Sequence, residues 1–163
     1  MKDLNGMPFL SEGVSLLEAT KSQTAIQNGI DNTPPPDVLE NMERTATKIV
    51  DPVKSRFPWA TVSSFYRSPK LNKKIGGAVN SQHVTGEAVD LDSINDHANE
   101  DIFVFIKDNL VFDQLIKEYP NEKGVPSWVH ASYVGHPKKN RGQILVRLKD
   151  KYIPFGEYKV GMI

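Results

Sequence analysis

The sequence predicts an α+β fold, with N-terminal helices packed on a small, mainly antiparallel sheet. Three observations lead there. A proline cluster at 34–36 is followed by apolar residues at helical spacing, and short β-branched and aromatic runs recur between residues 60 and 148. A chain of 163 residues with 39% hydrophobic and 25% charged residues has the composition of one globular domain, read here as residues 1–163.

The elements follow in order. Prolines cannot continue a helix but suit the first turn of a new one. After them Val38, Leu39, Met42, Ala46, Ile49, Val50, Val53 and Phe57 form a single apolar stripe, with Pro52 expected to kink or tighten the last turns. The run 60–67 (ATVSSFYR) reads as a strand. The next segment, SPKLNKKIGG, reads as a short helix with Ser68 as N-cap and Gly76–Gly77 as its stop. Residues 86–92 (GEAVDLD) alternate as a strand, Ala88, Asp90 and Asp92 sharing one face. A helix with Ile102, Phe103, Phe105 and Ile106 as its buried positions comes next. Strands are expected at 112–118 and 127–133, paired antiparallel with Ile116 near His130 and Glu118 near Trp128, and another at 141–148.

Composition narrows the function classes. Twenty basic and twenty acidic residues cancel, so nothing points to nucleic acid or an anionic membrane surface. The chain has no cysteine, which removes disulfides, thiolate metal sites and cysteine nucleophiles together. The first residues lack the apolar run of a secretory signal, and no window is long enough to span a bilayer. A cytoplasmic site of synthesis, a monomer and no membrane insertion are the corresponding expectations.

The four histidines are His83, His97, His130 and His136. A catalytic zinc needs about three protein ligands and one open position, and His83, Asp90 and His130 meet that requirement. Gly86 would let the loop bearing His83 turn into the strand bearing Asp90. The ordinary reading stays open on this ground alone: a hydrogen-bonded core histidine, a capping carboxylate and a solvated loop histidine. His136 reads as exposed, and His97, at a helix start, is given no role.

The stretch SQHVTGEAVD, followed downstream by WVH, resembles the signature of the zinc D-alanyl-D-alanine carboxypeptidase family, which includes phage endolysin peptidases. Its pattern Ser-x-His-x-x-Gly-x-Ala-x-Asp is met by Ser81, His83, Gly86, Ala88 and Asp90. Further blocks, among them FYRSPKLNKKIGGAVNSQH, FDQLIKE and PSWVHASY, are similar to the compact, phage-associated branch. Together they cover roughly residues 9 to 148, leaving 149–163 as a C-terminal tail.

The resemblance implies a hedgehog/DD-peptidase-like fold with one zinc ion in a cleft on the sheet, held by His83, Asp90 and His130. It implies a peptidoglycan peptide as substrate, with Arg67 facing it. Ser81, which reads as shaping the loop or touching the ligand, and Trp128, which reads as core packing or a wall of the zinc pocket, are the further candidate substrate contacts. Many relatives carry an acid three positions before the last histidine, but here that position is Ser127. Glu118 is the candidate general base in its place, with Glu122 in reserve, while Asp92 and Asp113 read as structural. Retained ligands without the usual acid leave a second reading, a non-catalytic zinc-stabilised wall-binding domain. The residues do not distinguish carboxypeptidase from endopeptidase action. The lack of a recognisable signal suits a phage or prophage lysis enzyme reaching the wall after release, and equally suits a cytoplasmic or secretion-system cargo.

Overall fold

A computed structural model describes residues 6, 8–93, 96–149 and 151–162, with the side chains of 96–98 excepted. Two five-residue helices, α1 (Leu16–Thr20) and α2 (Gln23–Gln27), precede the proline cluster and are capped by the hydroxyls of Ser15 and Ser22. Helix α3 (Pro36–Thr45) starts at the third proline and runs through a π-helical turn, Ala46–Val50, into α4 (Asp51–Arg56).

The π turn corrects the expectation for Pro52. The turn before it widens instead of tightening, with the Asp51 N–H donating to the Ala46 carbonyl five residues back. A proline ring clashes with the carbonyl four residues earlier and offers it no N–H, and a wider turn relieves both problems. The apolar stripe stays continuous across the bulge, so Met42, Ala46, Ile49, Val50 and Val53 are all fully buried.

Six strands form one sheet: β1 (Thr61–Ser64), β2 (Ala88–Asp92), β3 (Gln114–Glu118), β4 (Trp128–Ser132), β5 (Gln143–Arg147) and β6 (Tyr152–Pro154). Their spatial order is β1-β2-β4-β3-β5-β6. All neighbours are antiparallel except β3 and β5, which run parallel. Helix α5 (Pro69–Lys74), capped by Ser68, follows β1, and α6 (Asp96–Asn109) follows β2. Among the described residues no helix is long and apolar enough to cross a membrane.

Strand alternation gives the sheet two chemically different faces. Val89, Leu91, Leu115, Val129 and Ala131 form the core with α3, α4 and the Ile102, Phe103 and Ile106 side of α6. Each fully buried valine, leucine, isoleucine or phenylalanine among them contributes about 1.5–3 kcal/mol by leaving water. Lys117 shares this face, and its buried ammonium is satisfied by Glu100 at 2.7 Å and the Gly124 carbonyl at 3.0 Å. The opposite face carries Asp90, His130, Ile116 and Leu145 in one row across β2, β4, β3 and β5, with Trp128, Glu118 and Arg147 in the next. It floors an open cleft of about 860 Å³. The expected antiparallel register is observed, with Ile116 opposite His130 and Glu118 opposite Trp128.

A candidate metal centre beside a buried glutamate

The loop between α5 and β2 brings His83 to the sheet, and backbone bonds at both ends hold it there. The Arg67 N–H donates to the His83 carbonyl at 3.2 Å, and the Glu87 N–H donates to the Gln82 carbonyl at 2.9 Å. The Gln82 amide donates to Asp113 at 3.0 Å, and that carboxylate also takes the forked guanidinium of Arg141. Asp113 thus acts as a structural clamp, tying the His83 loop to the segment entering β5.

Gly86 does more here than ease a turn. Its φ is +70°, and a Cβ at this position would lie 2.7 Å from Met42 Cγ and 2.8 Å from the Val38 carbonyl oxygen. Only glycine lets the loop pass this close to α3.

Three ligand atoms converge on the cleft floor. His83 Nε2 lies 3.2 Å from Asp90 Oδ1 and 3.2 Å from His130 Nδ1, and His130 Nδ1 lies 2.9 Å from Asp90 Oδ1. Asp90 and His130 face each other across β2 and β4, while His83 comes in from the loop. Zinc bonds of about 2.0–2.1 Å would place tetrahedral ligand atoms about 3.3 Å apart, so the group needs only slight expansion to accept one ion.

The chemistry of the donor set fits a cation as well. The Phe65 carbonyl, 2.6 Å from His83 Nδ1, can only accept, so Nδ1 carries the proton and Nε2 presents its lone pair. Burial pushes His83 below the ordinary imidazole value, against the pull of Asp90, which favours this neutral form. Burial would by itself raise the Asp90 carboxyl, but His83 and His130 outweigh it and hold Asp90 well below the usual carboxylate range. With Nδ1 bonded to the Phe65 carbonyl and Nε2 unprotonated, the His83 lone pair faces an Asp90 carboxylate oxygen at 3.2 Å, an arrangement that a shared cation resolves.

Arg67 lies three residues past the end of β1 and is already engaged. Its Nη2 donates to Asp90 Oδ2 at 2.6 Å and its Nε to Ser64 Oγ at 2.8 Å. One face of its fork thus orients a ligand carboxylate, which sequence reasoning, placing the whole side chain toward substrate, did not anticipate. Ser81 and Trp128 line the cleft, with the Trp128 ring 5.3 Å from that of Tyr119.

Glu118 lies on the cleft face of β3, between Trp128 on β4 and Arg147 on β5. Its side chain is buried and has no hydrogen-bond or ion-pair partner among the described residues. Burial pushes its carboxyl up to about 7; Asp90 adds to the rise, while His130, Arg147 and Arg67 oppose it. Ser127 is exposed and its hydroxyl donates to the Tyr119 carbonyl at 2.9 Å. Glu122 and His136 are exposed and do not line the cleft. Asp92 accepts bonds from Ser93 N–H and the Asn99 amide at the start of α6 and makes none with the triad. His97 lies outside the residues whose side chains are described.

Sequence reasoning missed Arg147, Tyr152 and Tyr119, which also line the cleft. Alternation within QILVR marks Arg147 as sharing a face with Leu145, but only the pairing of β5 with β3 shows which face that is.

No curated protein sequence matches the chain. The sequence profile described as Peptidase M15 matches residues 14–131, which include Arg67, all three members of the triad and Glu118. The match spans most of the chain and takes in a two-histidine, one-aspartate centre of the kind these zinc-dependent peptidases need, so the protein belongs to the peptidase M15 family.

Proposed function

We propose that the protein is a zinc metallopeptidase that hydrolyses a peptide bond in the stem peptides of bacterial peptidoglycan, with Glu118 as its general base. The observation that carries this reading is the buried, unpartnered Glu118 carboxyl, with a value near 7, on the sheet face shared with His130. A base whose pKa lies close to the working pH is best placed both to take and to return a proton.

His83, Asp90 and His130 hold the ion. Bound there, zinc supplies a Lewis acid that polarises the scissile carbonyl and lowers the pKa of a coordinated water. Arg67 fixes Asp90 through Oδ2, leaving Oδ1 for the metal, and its remaining N–H groups can donate to the oxyanion that forms on the carbonyl. Glu118 takes the proton from the attacking water and delivers it to the departing amine. Trp128 and Ser81 contact the peptide from the cleft walls.

The alternative of a non-catalytic wall-binding domain rests on Ser127 standing where many relatives carry an acid. Ser127 is turned to a backbone carbonyl, and Glu118 offers a carboxyl on the cleft face. The test is incubation of the zinc-loaded chain with purified peptidoglycan, with and without a chelator. Release of new amino termini or of D-alanine, abolished by the chelator and restored by zinc, is the expected result. Wall binding with no released amine under any metal condition contradicts the reading.

A further inference from the structure

The cleft face continues past Glu118 into strands that lie beyond the residues matched by the family profile. Arg147 sits beside Glu118 in the parallel β3–β5 ladder and opposite Tyr152 in the β5–β6 ladder. Its guanidinium carbon is 4.3 Å from the centre of the Tyr152 ring and 5.9 Å from that of Tyr119. Its Nε makes one long hydrogen bond, 3.4 Å, to the Tyr119 hydroxyl.

Beyond that bond the guanidinium has no protein acceptor and no ion pair among the described residues. The other arginines of the cleft are committed: Arg67 to Asp90 and Ser64, Arg141 to Asp113. Arg147 is therefore the arginine of this cleft whose planar fork is open to an incoming group. A carboxylate is the group that such a fork fits best.

The neighbouring backbone looks built for this purpose. Among the described residues Tyr119 is the only non-glycine with a positive φ, +45°. A bulky side chain in that region is disfavoured and persists only when its surroundings hold it. Here the Ser127 hydroxyl holds the Tyr119 carbonyl at 2.9 Å, and the Arg147 carbonyl accepts the Tyr119 N–H at 3.0 Å. The phenol so held stands between Trp128 and Arg147. This gives Ser127 a role of its own, in fixing one wall of a pocket.

We propose that Arg147, walled by Tyr119 and Tyr152, is a specificity-determining residue that binds a carboxylate of the peptide substrate. The inference rests on the peptidase reading above. β5 lies two strands from β4, or about 10 Å at an interstrand spacing of about 4.8 Å. An extended peptide advances about 3.3–3.6 Å per residue. The carboxylate thus belongs two or three residues from the reacting carbonyl, or on the side of a nearer one. A stem peptide with γ-linked D-glutamate carries one free carboxylate in mid-chain and another at its C-terminus.

The test uses the zinc-loaded full chain in a Glu118→Gln background, so that substrate is bound without turnover. The probes are L-Ala-γ-D-Glu-L-Lys-D-Ala-D-Ala and the same peptide with both backbone carboxylates amidated, titrated calorimetrically. The free acid is expected to bind at least 10-fold tighter than the amide. Adding Arg147→Gln should bring the ratio to within twofold, chiefly by weakening binding of the free acid. Arg147→Lys, which keeps the charge without the fork, should fall between, and it decides the matter if the glutamine variant does not fold. A ratio that survives both substitutions, an absent acid preference, or no binding of either peptide overturns the inference. Acid-selective binding through Arg147 without hydrolysis of peptidoglycan by the wild-type chain refutes the peptidase reading alone; hydrolysis without such selectivity refutes this inference alone.

Discussion

The two ends of the cleft floor treat charge in opposite ways. At the β2–β4 end, Asp90 has both oxygens occupied, by the two histidines and by Arg67, and His83 is braced by the Phe65 carbonyl. At the β3–β5 end, Glu118 is buried and Arg147 stands beside it, yet among the described residues neither makes an ion pair and Glu118 makes no side-chain hydrogen bond. Both pairs share one sheet face, so burial alone does not explain the difference. The proposed roles account for it: groups that hold a cation must keep one geometry, which a dense hydrogen-bond network enforces. Groups proposed to exchange a proton or meet substrate must have unused valence, and the fold tolerates the cost of leaving it.

The largest effect expected from breaking this contrast is at the networked end. His130→Ala removes one of three proposed ligands, and zinc affinity should fall more than 100-fold, with peptidase activity lost, measured by metal analysis after dialysis against a graded chelator. Retention of stoichiometric zinc would contradict the ligand assignment.

The unpartnered end should announce itself in stability. The Glu118 carboxyl titrates at about 7 when folded and at an ordinary value near 4.5 when not, so it keeps its proton longer in the folded state. In the metal-free protein this group's contribution is therefore full below about pH 4.5 and declines as pH rises through about 7, by at most about 3–4 kcal/mol. Glu118→Gln carries no such proton. Its denaturant stability relative to wild type should rise between pH 5 and pH 8, and parallel profiles for the two proteins would show that the carboxyl is not desolvated.

Arg67 tests how far the network matters to the ligand it holds. Arg67→Ala leaves the three ligand atoms in place but frees Asp90 Oδ2, and zinc affinity should fall about 10- to 100-fold, the usual scale for an outer hydrogen-bond partner. An unchanged zinc affinity would confine Arg67 to the substrate.

The sequence made the two ends unequally legible. His83 and Asp90 are seven residues apart within one motif, and simple alternation put Glu118 near Trp128 once β3 and β4 were paired. The short helices α1 and α2 were not foreseen, because five residues carry too little periodicity to stand out. The brace on His83 is a backbone carbonyl, which leaves no mark in the side-chain sequence. Arg147 was hidden for a different reason. Its neighbour Glu118 is 29 positions earlier, joined through a parallel ladder that no tight turn announces. The widened turn before Pro52 was missed because sequence marks where a proline disturbs a helix but not whether the helix tightens or loosens in response.

The central claim, a zinc peptidase whose proton is handled by Glu118, is tested most directly by one comparison. Wild type and Glu118→Gln are each loaded with zinc, assayed for bound metal, and timed on purified peptidoglycan. The account predicts one zinc per chain in both proteins and a fall in turnover of about 10²- to 10⁴-fold in the variant. Equal turnover in the two proteins, or loss of zinc along with activity, would contradict it.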